Sequence, residues 1–72
     1  MDRTPVKSSN IRSVGYDEGS KTLEVEFSSG SVYQYHDVDA EKHKALMGAD
    51  SIGKHFSAHI KAGHKFSRPD SG

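Results

Sequence analysis

The sequence predicts an α+β domain ordered β-β-β-α-α, a three-stranded antiparallel meander packed on two C-terminal helices. Three observations carry this. IRSVGY, TLEVEF and VYQYH are short runs rich in β-formers, and TLEVEF alternates polar with apolar residues without a break. The connections DEGSK and SSG are short and contain glycine, which joins neighbouring strands as hairpins. Downstream, apolar residues recur at helical spacing behind two residues suited to capping, Asp39 and Ser51.

Taken in order, the strands run over Ile11 to Tyr16, Thr22 to Phe27 and Val32 to His36. Their register depends on the loop SSG. If Ser28, Ser29 and Gly30 form a three-residue loop with Gly30 left-handed, Phe27 faces Ser31, Val25 faces Tyr33 and Leu23 faces Tyr35, and both tyrosines join the apolar face. A two-residue Ser29-Gly30 turn instead sets Tyr33 and Tyr35 beside Glu26 and Glu24 on the solvent face, because one step of register flips every side chain. The first arrangement is preferred.

Asp39 then caps a helix from Ala40 to Ala49 that carries Leu46 and Met47 on one stripe. Ser51 caps a second helix that buries Ile52, Phe56 and Ile60, with Gly63 as its stop. Phe66 folds back to close the core. The expected core is Val14, Tyr16, Leu23, Val25, Phe27, Tyr33, Tyr35, Val38, Leu46, Phe56 and Ile60, because a small meander needs one packed face. Residues 1 to 8 and 67 to 72 lack periodicity and are expected as disordered tails around a single domain over 9 to 66.

At 72 residues the chain allows one domain that buries roughly 60% of its unfolded surface, which leaves no room for a deep enclosed active site. The absence of cysteine removes disulfides, thiolate catalysis and zinc-finger ligation. MDRTPVKSSN has no apolar leader region and no run is long enough to span a bilayer, so the cytoplasm is the expected compartment. The formal net charge is zero, but it is unevenly spread. Residues 1 to 50 hold six basic and nine acidic side chains, whereas 51 to 72 hold four basic and one acidic. SIGKHFSAHIKAGHKFSR is thus a basic stretch without an acid.

That stretch offers several constellations. Lys54, His55, Lys61, Lys65 and Arg68 can line one edge of the second helix and its tail as a phosphate-binding surface. Ser51, Gly53 and Lys54 open the helix where free N–H groups attract anions, although the flanking residues of a Walker A loop are missing; packing of Gly53 against the first helix explains the glycine equally well. His55 and His59 stand i, i+4, with His64 as a third metal ligand, but HFSAH lacks the glutamate of HExxH, and no metal or other cofactor is expected. Tyr33 and Tyr35 read either as base-stacking aromatics or as core, and the preferred register makes them core. No nucleophile elbow or carboxylate pair is set in a pocket, so no enzyme is expected.

SSNI before a GYD turn, Tyr33-Gln34-Tyr35, Asp37-Val38, and Ser51, Gly53, Phe56 and Ile60 at their mutual spacing together resemble the KTSC domain, over roughly residues 8 to 66. Two departures stand out. Asp39 occupies a position where a proline is expected, and His43 and His64 stand where aromatic residues are more typical. The resemblance implies a domain found at the C-terminus of some lysyl-tRNA synthetases and as small stand-alone bacterial proteins, with Tyr33 and Tyr35 as motif residues and RNA as the suggested ligand. The expected function is a non-enzymatic accessory module that contacts RNA phosphates. The alternative is a protein-interaction module docking on an acidic partner, such as a larger RNA-processing or translation enzyme.

Overall fold

In a computed structural model, residues 3–68 are described, and they contain one five-stranded antiparallel sheet rather than a three-stranded one. Its strands are β1 (Arg3–Pro5), β2 (Ile11–Asp17), β3 (Thr22–Phe27), β4 (Val32–Tyr35) and β5 (Phe66–Ser67), and they lie in sequence order. Helix α1 (Ala40–Met47) and helix α2 (Ile52–Phe56), which continues as a wider π turn over Ser57–Lys61, cover one face. The α+β class and the three central strands stand as the sequence predicts. The two edge strands are additions drawn from stretches read as tails and as a core-closing Phe66.

The register of β3 on β4 follows from the SSG loop. Gly30 has φ 96°, and the Gly30 and Phe27 amides donate to the Phe27 and Ser31 carbonyls across the turn. Leu23 therefore faces Tyr35 and Val25 faces Tyr33. On the helix side, Val14, Leu23, Val25, Tyr35, Val38, Leu46, Phe56 and Ile60 are buried, with Tyr16, Phe27 and Tyr33 half-buried against them. Ile11 is also buried, a core residue that strict alternation from Val14 and Tyr16 misses. A register shift between Ile11 and Ser13 is the reason: the bulge turns Ile11 inward and leaves Arg12 exposed.

On the other face, Arg3, Gly15, Glu24, Gln34 and Ser67 form one cross-strand row through the sheet. Gly15 has no side chain, so Arg3 spans it and donates to Glu24 Oε2 at 3.2 Å, while Gln34 Nε2 donates to Oε1 at 3.0 Å. Glu24 is thereby covered to 9% exposure without becoming an unpaired buried charge. In the next row Ser13 donates to Glu26, with Arg12 beside it at 3.8 Å. This anchoring holds Arg3–Pro5 in the sheet despite its lack of periodicity. β5 is held by similar means, through its pairing with β4 and through the His36 amide, which donates to the Lys65 carbonyl at 2.9 Å.

Val38 joins sheet to helix. Its amide donates to the Lys21 carbonyl, and its own carbonyl accepts from the Tyr16 hydroxyl. Asp39 begins α1 with extended backbone, and its carbonyl accepts from the Lys42 and His43 amides. Its side chain makes no capping bond, contrary to expectation, and instead lies 3.6 Å from Lys21 Nζ. Ser51 likewise gives α2 no side-chain cap. α1 ends at Met47, two residues earlier than expected. His43 stacks on Tyr16 with ring centroids 4.6 Å apart and planes 10° apart, doing the packing of the aromatic that the resemblance places there.

Phe66 packs its ring against Tyr33 and Tyr35 but remains 54% exposed, so it edges the core without closing it. Gly53 sits against the Ser8–Asn10 loop and not against α1: a Cβ there would stand 3.1 Å from Ser8 Oγ.

Three stability outcomes are expected. Arg3→Ala leaves Glu24 short of a donor and should lower stability by about 1–2 kcal/mol in urea unfolding, with a smaller loss in a Glu24→Gln background, where no counter-charge is needed. Gly53→Ala gains up to about 1 kcal/mol of helix propensity but presses on Ser8; a double-mutant cycle should find it more stabilising in a Ser8→Ala background than in the parent.

The third outcome concerns pH. Burial lowers the pKa of His43 below its ordinary 6.5, so the unfolded chain takes up this proton first on acidification. Its contribution to stability is complete above 6.5 and is lost as pH falls from there through the lowered folded value. The urea midpoint of His43→Phe should accordingly fall less than that of the parent between about pH 7.5 and about pH 5.

Candidate functional site, a basic-rimmed aromatic groove

The helix after Ser51 presents three stripes with different neighbours. Ile52, Phe56 and Ile60 point into the core, the first half-buried and the others buried. Gly53, Ser57 and Lys61 border a groove closed on its other side by the start of β2 and the loop joining β3 to β4. His55 and His59 border a separate crevice with Glu41, Lys42 and Ala45 of α1. Four residues advance an α-helix by about 40° beyond a full turn, so i, i+4, i+8 stripes drift around a regular helix. The wider π turn over Ser57–Lys61 offsets that drift and keeps each stripe on its own neighbour.

The groove has a cavity volume of about 420 Å³. Aromatic rings floor it: Phe27 and Tyr33 meet at 90° with centroids 5.3 Å apart, and Phe56 stands 5.6 Å from Phe27. Neutral polar groups rim it, from Asn10, Ser28, Ser29, Ser31 and Ser57. Lys61 is the charged residue of its wall, and Arg68 stands over the Tyr33 ring at 5.1 Å from the centroid, a cation-π geometry. Among the described residues no carboxylate lines this groove, whereas Glu41 lines the histidine crevice and Glu18 lines a third hollow beside Tyr16 and His43.

The two motif tyrosines differ in burial. Tyr35 is 3% exposed and its hydroxyl pKa is raised, by burial first and by Tyr33 second, so it is core. Tyr33 is half-buried, and both rings line the groove from the helix side of the sheet.

The expected basic surface is divided by this geometry. Lys61 lines the groove, and Arg68 stands over the ring of Tyr33, which lines it too. Lys54 is exposed next to Gly53, and Lys65 is exposed just before β5. His55 turns away into the α1 crevice, where its ring lies 4.4 Å from that of His59. Lys54, Lys61 and Lys65 have no ion-pair partner among the described residues, where carboxylates pair with Arg3, Arg12 and Lys21.

The other sequence constellations resolve as follows. His64 is engaged away from His55 and His59: Nδ1 donates to the His36 carbonyl at 2.9 Å, which leaves Nε2 to accept from Lys42 Nζ at 2.9 Å. It is therefore no third ligand, and no cluster of three metal-ligating residues occurs among the described residues. At Ser51, Gly53 and Lys54, the glycine faces Ser8 and Asn10, and the Ser51 carbonyl accepts the His55 amide. Sequence reasoning left out Asn10, Ser28, Ser29, Ser31, Phe27 and Ser57 as site residues. A signal existed for Ser57, which stands midway between Gly53 and Lys61 at i, i+4 spacing.

Comparisons with known proteins agree with this fold. The KTSC domain family matches residues 7–66. An uncharacterised protein of Stutzerimonas stutzeri is 48% identical over 64 residues, covering 89% of this chain and 90% of that protein. A lysine–tRNA ligase of Nostoc punctiforme is 39% identical over 62 residues, covering 86% of this chain but only 11% of the ligase. A crystal structure of a KTSC domain protein from Yersinia pestis superposes with a TM-score of 0.90 at 37% identity, covering 93% of this chain and 94% of that one. No helix among the described residues is long and apolar enough to cross a membrane. With a family match over nearly the whole folded region and relatives of the same length, this chain belongs to the KTSC domain family.

Proposed function

We propose that this chain is a non-enzymatic accessory module of the bacterial cytoplasm that binds RNA through its phosphate backbone. Lys54, Lys61, Lys65 and Arg68 supply the contacts. The observation that carries the reading is the groove whose wall holds Lys61 and, among the described residues, no carboxylate, with Arg68 over the ring of Tyr33. A cation beside aromatic surface, with Glu18 and Glu41 in other hollows, suits a phosphate chain bearing unpaired bases. The similarity to a segment of lysine–tRNA ligases, enzymes that by name act on tRNA, supports the same reading.

Docking on an acidic protein is the second reading, and one observation favours it. Phe66, 54% exposed beside Lys65, offers an apolar contact next to a charge at the sheet edge.

Labelled single-stranded RNA, titrated by fluorescence anisotropy at several salt concentrations, separates these readings. Four phosphate contacts at about 0.7 each predict a slope of log affinity on log salt near about −3, and Lys61→Ala should reduce its magnitude by about 0.7. An affinity indifferent to salt, or absence of binding at low salt, rejects the RNA reading in favour of protein docking.

A further inference from the structure

We infer that the groove between the β3–β4 loop and the C-terminal helix is a pocket for one unpaired nucleotide, with its base on the Phe27–Tyr33 corner and its phosphate on Lys61. This deepens the RNA reading and rests on it for the biological ligand, but the argument for the pocket is its own. Three features converge.

The first is the aromatic corner. Phe27 and Tyr33 stand at 90°, so a flat ring laid parallel to one presents its edge to the face of the other. Face contact and edge contact are both favoured by the charge distribution of aromatic rings, and a flat heterocycle makes both at once. An aliphatic ligand would gain burial there but neither of these directional contacts.

The second feature is the rim. Asn10, Ser29, Ser31 and Ser57 offer hydroxyl and amide groups that both donate and accept. A nucleobase edge alternates donors and acceptors, and a ribose adds further hydroxyls, so neutral two-way partners suit it better than a ring of fixed charges. The third is charge. Lys61 is the charged wall residue, matching one phosphate, and no carboxylate among the described residues shares that wall with it.

Size agrees as well: about 420 Å³ lies within the roughly 300–1,000 Å³ range of small-ligand pockets. A base held in a duplex keeps both faces stacked on its neighbours and cannot lie on protein rings, so the pocket selects unpaired nucleotides.

The test uses the full chain and four probes: adenosine 5′-monophosphate, adenosine, ribose 5-phosphate and inorganic phosphate. Binding is followed by shifts of backbone amides and aromatic ring protons in NMR. The expected result is saturable shifts of the Tyr33 ring and of the amides of 28–31, 57 and 61 with the monophosphate, at about tenfold tighter binding than adenosine or ribose 5-phosphate. Lys61→Ala, a change at an exposed position, should weaken the monophosphate about tenfold and leave adenosine unchanged. Tyr33→Leu, which keeps apolar bulk but removes the flat ring, should weaken both. Equal affinity for the monophosphate and ribose 5-phosphate, or shifts confined to residues outside the groove, would overturn the inference. Failure of the two ideas is distinguishable. If oligonucleotides bind with the expected salt slope while mononucleotides leave the groove unshifted, the pocket is refuted and the backbone reading survives. If the monophosphate seats but oligonucleotides do not bind, the pocket stands and the RNA reading falls.

Discussion

The left-handed glycine in the loop between β3 and β4 sets the geometry on which the remaining structure depends. With Gly30 at φ 96°, the loop takes three residues and β4 is locked to β3 with Val25 opposite Tyr33 and Leu23 opposite Tyr35. A shift of one residue would carry both tyrosines to the face of Glu24 and Glu26 and bring Gln34 under the helices. It would remove the Tyr35 ring from Phe56, where it packs at 5.0 Å, and take away the groove's floor. One backbone conformation, strained for any residue with a side chain, thus decides at once what is core and what is site.

The C-terminal helix turns that sheet face into separate environments. A ten-residue segment with stripes at i, i+4, i+8 sends apolar, small or cationic, and imidazole side chains to three different neighbours. The π turn keeps these stripes aligned along its length, where a regular α-helix would carry Ile60 or Lys61 around toward the next neighbour. Gly53 contributes at the other end, since its lack of a side chain lets the Ser8–Asn10 loop lie against the helix and brings Asn10 to the groove's rim.

Much of this was legible in the sequence, for reasons that also explain what was not. β3 and its register could be read because TLEVEF alternates strictly and SSG has few ways to turn. Phe56 and Ile60 could be read because helical spacing exposes a buried stripe. β1 and β5 could not, because strands of three and two residues have no period to detect. Their pairing depends on Arg3 crossing Gly15 to Glu24 and on the Lys65 carbonyl meeting the His36 amide, contacts remote in sequence. Ile11 was hidden by a bulge that breaks the alternation. The site was half legible for a related reason: the charges of residues 51 to 68 can be counted, but the direction each takes around the helix follows from packing. His55 and Lys61, six residues apart on one helical segment, face different hollows.

The charge asymmetry of the chain acquires a structural meaning from the sheet's polar face. Glu24 and Glu26 lie on the face opposite the helices, and each has an arginine from the N-terminal half, Arg3 and Arg12 respectively. These carboxylates face away from the groove and have their charge balanced locally, so they do little to offset Lys61 on the far side of the sheet. Had Arg3 and Arg12 been absent, two uncompensated acids about one sheet thickness away would have lowered the potential in the groove across a poorly screening interior. The neutral total is therefore no sign of a neutral surface. Arg3 and Arg12 balance the acids of the sheet, and Lys61 lines an aromatic groove whose wall carries no acid among the described residues. In the proposed reading, this separation of charge between two faces of one sheet is what holds an anionic, aromatic ligand at the surface.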